Sequence, residues 1–179
     1  VGRRFFRLDE HPRVAAHAMD ARQFLRSHAA SGERWDLIFG DAYNGIRAIP
    51  AHLTTREFFQ LARDCLTEEG VFLMNLISAV RGPRSELLAG MLATVREVFP
   101  HVEAFAVGGR REDPQNVILL CSRTDWTPMI TGRYHPPGSL QARLAGARIP
   151  PHELPPAGPM FTDDFNPVDA IIARGLLIR

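Results

Sequence analysis

Two hydrophobic periods alternate along the chain. Phe58, Leu61, Ala62 and Cys65 recur at i, i+3, i+4 and i+7, the stripe of one helix face. Thr54-x-x-Glu57 ahead of them has capping-box spacing, so a helix is predicted to start at Thr54, with Gly70 just past its end. Asp20 and Gln23 have the same spacing and predict a helix to about His28, burying Phe24 and Leu25. Gly82-Pro83 opens a longer one, with Leu87, Leu88, Met91, Leu92, Val95 and Val98 on its apolar side and Pro100 as its stop.

Between these helices lie short strand-like runs. Trp35 to Gly40 is one; Leu37-Ile38-Phe39 is its apolar centre, and it ends on Asp41. Val71 to Ile77 is apolar on both faces except at Asn75, as expected of a central parallel strand. Arg13 to Met19 reads as a further short strand, although alanine is a poor strand former. Val102 to Val107 alternates, Gly108 to Gln115 is a turn, and Asn116 to Cys121 is apolar, a pattern that predicts an antiparallel hairpin at a sheet edge. From Thr124 to Pro159 the composition shifts: eight of the 14 prolines fall there, with one helix expected from Leu140 to Gly146. An acidic turn, Phe161 to Asp169, precedes a terminal helix or strand from Ile171 to Ile178. The expected organisation is a sheet-bearing domain over residues 1–123, with a proline-rich extension over 124–179 packed on it.

The 179 residues carry a formal net charge of +1 and are 45% hydrophobic, enough for one folded domain. That balance argues against a dedicated nucleic-acid binder, which needs a clustered positive surface. Arg3, Arg4 and Arg7 read as a solvated face. All 21 basic residues are arginine, so lysine Schiff-base chemistry and a Walker A loop are excluded. Cys65 and Cys121 sit in apolar segments as reduced thiols, which fits a cytoplasmic setting. No apolar run approaches a membrane span and no signal peptide is visible. The first residue is valine, so a fragment or a mis-set start is one reading.

A carboxylate at the end of a strand, then a loop, then a helix is how an open α/β sheet builds a site, in the crevice beyond the strands' carboxyl ends. Asp41 is therefore the first candidate for chemistry; the plainer reading is a turn cap. Asp20 reads as a helix cap, with or without a second role. Asn75 either satisfies loop backbone or lines the site. Asp163 and Asp164 have no further ligand spaced to hold a metal with them, so a turn or cap is the better reading. His17 and His52 read as structural, and no G-x-S-x-G elbow is present.

Taken in order, RVAAHAMDARQFL, WDLIFGDAYNG, IPAHLTTREFF, GVFLMNLIS and the late Asp163-Asp164-Phe165-Asn166-Pro167-Val168 resemble the spermidine synthase (polyamine aminopropyltransferase) family, in its bacterial spermidine synthase-like branch. The resemblance implies an α/β, class I methyltransferase-like Rossmann fold. It implies transfer of an aminopropyl group from decarboxylated S-adenosylmethionine to a diamine, with no metal, no nucleic acid and no membrane contact from this segment. It allows a homodimer. By motif, Asp41 would be the catalytic carboxylate, and Asp20 with Ala21 would meet the adenine. Tyr43, Pro50 and Leu53 would line the donor and amine pockets, and Asp164 would reach the amine site.

Two departures shape the expectation. Asn44 stands where the family's polyamine synthases often have a second aspartate; it can hydrogen-bond an ammonium but not neutralise it, which leaves the acceptor open. No G-x-G-x-x-G follows a strand, and the ribose-gripping acid of the next strand is missing, so the Rossmann fold is expected to be partial, lacking its first two strands. A C-terminal piece of a longer enzyme, binding the donor weakly or not at all, is the expected outcome. The alternatives are an S-adenosylmethionine-dependent methyltransferase with another acceptor, or a non-catalytic binding domain.

Overall fold

The computed structural model describes residues 12–43, 48–132 and 135–177. The Arg3, Arg4 and Arg7 cluster and Asn44 lie outside the described residues. Helix α1 spans Ala21–Ser31, strand β1 Trp35–Gly40, α2 Arg56–Asp64, β2 Leu66–Ser78, α3 Glu86–Arg96, β3 His101–Ala106 and β4 Gln115–Ser122. In the C-terminal part come α4 (Thr127–Ile130), α5 (Leu140–Ala147) and α6 (Val168–Leu177). Single 3-10 turns sit at Ala51–Leu53, Pro83–Ser85 and Pro151–Glu153.

The four strands form one mixed sheet in the order β1-β2-β4-β3. β1 and β2 run parallel; β4 is antiparallel to both of its neighbours. The β3–β4 hairpin turns through Gly108 and Gly109, both at positive φ, where a side chain would be strained.

Pairing register sorts the side chains between two faces. Phe72, Met74 and Leu76 of β2 align with Cys121, Leu119 and Val117 of β4, and all six are buried. Phe58 of α2 meets Phe72 edge-on at 6.1 Å on this face. Leu87, Leu88, Met91, Leu92 and Val95 of α3 join the same core cluster. The other face carries Leu37, Phe39, Leu73, Ile118 and Phe105. Toward β3 the tail covers it: Ile149 donates to the Ala104 carbonyl, and Arg148 forms a two-bond ion pair with Glu103. Phe105 is accordingly buried, whereas Leu37 and Phe39 are 55% and 56% exposed.

Three sequence expectations change. Arg13 to Met19 is not a strand but an exposed, irregular segment. A strand exists only through its ladder, and no described strand flanks the outer edge of β1 to offer one. The second helix is capped one residue later than expected: Thr55 accepts from the Phe58 amide, while Thr54 Oγ1 donates to the Ala51 carbonyl 2.7 Å away. Two adjacent threonines compete for one cap, and the preceding 3-10 turn takes the first. Gly70 is no helix cap; it lies inside β2, where the β1–β2 register shifts, and a Cβ there would come 2.9 Å from the Trp35 carbonyl oxygen. The Asp20 cap on the Gln23 amide (3.0 Å) and the helices over 86–96 and 140–147 match expectation.

Candidate active site

The carboxyl ends of β1 and β2 place the chemistry. Asp41 follows the last residue of β1, which pairs with Met74, so its side chain meets the next residue of β2. Asn75 Nδ2 donates to Asp41 Oδ1 at 2.9 Å. The Tyr43 hydroxyl donates to the Asn75 carbonyl at 2.8 Å. Burial, and then the Asp41 charge, push the Tyr43 phenol up to about 12. Asp41 itself is exposed.

A groove of about 480 Å³ runs along the free edge of β1. Its wall is apolar: Phe24 and Leu25 of α1, Ile38 and Phe39 of β1, and Ile49 and Leu53 of the loop after Asp41 all contribute. Among the described residues, Asp41 and Asn75 are the polar side chains that line it. Of the other residues marked out by sequence, Ala21 and Leu53 line this groove, while Asp20, Tyr43 and Pro50 do not. Asp164 is exposed, in a turn closed by paired hydrogen bonds between Thr162 and Phe165, and is not part of the lining.

A second network braces the groove wall. Asp20 Oδ2 meets His52 Nε2 at 2.6 Å. The Gln23 amide and then His52 hold the Asp20 carboxyl below its ordinary range. Arg22, only 9% exposed, forks onto Asp163 with bonds of 2.8 and 2.6 Å and also donates to the His52 carbonyl. Those Arg22 hydrogen bonds hold Asp163 low. Asn166 donates to the Ala51 carbonyl and Thr54 Oγ1, and the Asp163 amide donates to Glu57. The acidic turn of the tail thus pins the 51–55 segment and the start of α1 together.

Sequence reasoning named Asp20 but missed Arg22, Asp163 and His52 as its companions. One signal was available. Arg22 sits in the first turn of a helix with no acid there, against the helix dipole, and an arginine so placed needs a partner. Among the described residues no group of three or more His, Cys, Asp or Glu is placed to hold a metal ion. No helix among them is long and apolar enough to cross a membrane.

The sequence matches the model of the spermine/spermidine synthase domain over residues 5–115. It is similar to the polyamine aminopropyltransferase of Vibrio vulnificus, 32% identical over 119 residues, which cover 66% of this chain and 37% of that protein. It is also similar to the human eEF1A lysine and N-terminal methyltransferase, 29% identical over 129 residues, covering 68% of this chain and 17% of that one. The fold matches human methyltransferase-like protein 13 solved in complex with SAH, with a TM-score of 0.55 and 24% identity over 80% of this chain and 61% of that chain. This chain therefore spans about a third of the length of its Vibrio relative. The likeness in fold supports a Rossmann-like α/β architecture.

Proposed function

The chain belongs to the spermine/spermidine synthase family, and from that premise we propose that it carries the base and acceptor side of an aminopropyltransferase site. The observation behind this reading is Asp41: a carboxylate just past a parallel strand, open to a groove, with one oxygen tied to a neutral donor and the other uncommitted among the described residues. The donor would be decarboxylated S-adenosylmethionine and the acceptor a diamine. The amine lone pair attacks the aminopropyl carbon next to the sulfonium. The carbon–sulfur bond breaks and its electrons stay on sulfur, releasing methylthioadenosine. The nitrogen sheds one proton to Asp41, and the leaving group needs no acid. Holding amine and carbon in line supplies much of the remaining acceleration.

On the donor side, Ala21 and Leu53 would wall the adenosyl group, with Pro50 beside Leu53. Asp20 would take the adenine amino group while sharing its Oδ2 with His52. Tyr43 would offer the acceptor its ring, since its hydroxyl is committed to Asn75. Asp164, rather than the Arg22-bound Asp163, is the acid of that turn with a surface to offer a second ammonium. No glycine-rich phosphate or adenosyl loop occurs in the 179 residues, so the residues present supply only part of a donor site. A second reading, methyl transfer to an amine from S-adenosylmethionine, is favoured by the likeness to the human lysine and N-terminal methyltransferase. Assaying the complete open reading frame with each donor separates them. Methylthioadenosine release that needs a diamine and falls at least a hundredfold in Asp41→Asn supports aminopropyl transfer. Methylated product with S-adenosylmethionine alone supports the second reading, and no turnover with either donor removes both.

A further inference from the structure

Asn75 breaks an otherwise apolar strand. Every other residue from Val71 to Ile77 is apolar, and both flanks of β2 are already paired, to β1 and to β4. A polar side chain in that setting calls for a reason. Its amide makes one hydrogen bond, from Nδ2 to Asp41 Oδ1, and its own Oδ1 is buried without a partner among the described residues. The orientation of the amide is not free. Turned over, it would set Oδ1 against a carboxylate, acceptor against acceptor. The same residue holds Tyr43 through its main-chain carbonyl. One position on β2 thus grips the turn after β1 at two points, residues 41 and 43.

We infer that Asn75 is a positioning residue for Asp41: it ties down Oδ1 with a neutral donor and leaves Oδ2 as the acceptor presented to the groove. This rests on the reading of Asp41 as the base. The choice of a neutral donor matters. An arginine or lysine would hold the carboxylate equally well but would form an ion pair and weaken it as a proton acceptor. Asparagine fixes direction and leaves the full negative charge. The unpartnered Oδ1 is the cost of that arrangement, and a residue kept only for stability would not carry it.

Asn75→Leu, which keeps the volume and discards both polar atoms, makes the test. In the full chain, the side-chain amide signals of Asn75 in an NMR pH titration are expected to move as the neighbouring carboxylate titrates, and to stop moving in Asp41→Asn. Movement that is the same in both proteins, or absent from the parent, overturns the clamp. The urea midpoint of Asn75→Leu is expected to stay level or rise, because an orphaned acceptor is removed; a fall to the level of a core truncation would make Asn75 structural and overturn the inference. Neither arm needs turnover. In the assayed enzyme, Asn75→Leu is expected to lower kcat about ten- to a hundredfold with little change in KM. Asn75→Gln should recover part of the loss. An inactive Asp41→Asn beside a fully active Asn75→Leu defeats the positioning role alone. A fully active Asp41→Asn instead defeats the base on which it rests.

Discussion

On one face of the sheet, Phe105 at the β3 edge is buried, whereas Leu37 and Phe39 at the β1 edge keep more than half of their surface in contact with solvent. The residues are equally apolar, so composition does not explain the contrast. What differs is the supply of partners. The β3 edge has the tail laid along it, with the Ile149 amide on the Ala104 carbonyl and Arg148 paired with Glu103. The β1 end has, among the described residues, one neighbouring strand and α1, whose Phe24 stacks on Trp35 at 5.9 Å. The candidate chemistry lies on the seam: Asp41 leaves the open strand and is held by Asn75 of a strand paired on both sides. A carboxylate in such a place has a fixed support behind it and access in front.

The largest effect should come from unsealing the closed region. Phe161 is fully buried against Gly90, where a Cβ would come within 2.2 Å of its ring, and its amide donates to Thr94 Oγ1. Phe161→Ala is expected to cost about 3–5 kcal/mol in urea unfolding. Phe39→Ala should change stability by no more than about 0.5 kcal/mol. A comparable loss at both would mean that β1 is covered in solution, and the contrast between the two ends would disappear.

Next comes the brace that joins the tail to the groove wall. Asp163→Asn removes the anion from a buried arginine and is expected to cost about 1–3 kcal/mol; the half-exposed aspartate keeps the figure below that of a fully buried pair. Asp163 and Asp20 both titrate below their ordinary value when folded. Their contribution is therefore complete above about pH 4, the unfolded value, and is lost as pH falls through the depressed folded values. Urea midpoints measured from neutral pH downward should drop in that acid window for the parent and drop less for Asp163→Asn. Equal slopes would show that the fork of Arg22 onto Asp163 is not maintained.

What was legible in the sequence follows the same division. The helix stripe at Phe58, Leu61, Ala62 and Cys65, the β3–β4 hairpin and the Asp20 cap are local patterns that agree with where the chain ends up. Arg13 to Met19 could not be read locally, because strand or coil depends on a partner elsewhere in the chain. The choice between Thr54 and Thr55 turned on a 3-10 turn that no capping pattern announces. At the site, Asp41 was visible as a carboxylate at a strand end. Its tie to Asn75 spans 34 residues and that of Arg22 to Asp163 spans 141, distances at which periodicity carries no information.

The smallest effect tests whether the seam is closed where Asp41 sits. The chain has two tyrosines, so Tyr134→Phe leaves Tyr43 as the sole phenolate signal near 295 nm. Its ionisation is expected at about 12, raised first by burial and second by the Asp41 charge. In Asp41→Asn the second cause vanishes and the first remains, so the midpoint should fall yet stay above the ordinary value of about 10. The linkage runs in the matching direction. A phenol held neutral when folded contributes stability in full below the unfolded value, and loses it as pH rises from about 10 through about 12. Unfolding measured across that window should show a shallower alkaline decline in Tyr43→Phe than in the parent. An ordinary midpoint for Tyr43 would mean that the turn after β1 is as open as Phe39. An elevated midpoint that ignores Asp41→Asn would keep the turn closed but place the carboxylate away from the ring, beyond the reach of Asn75.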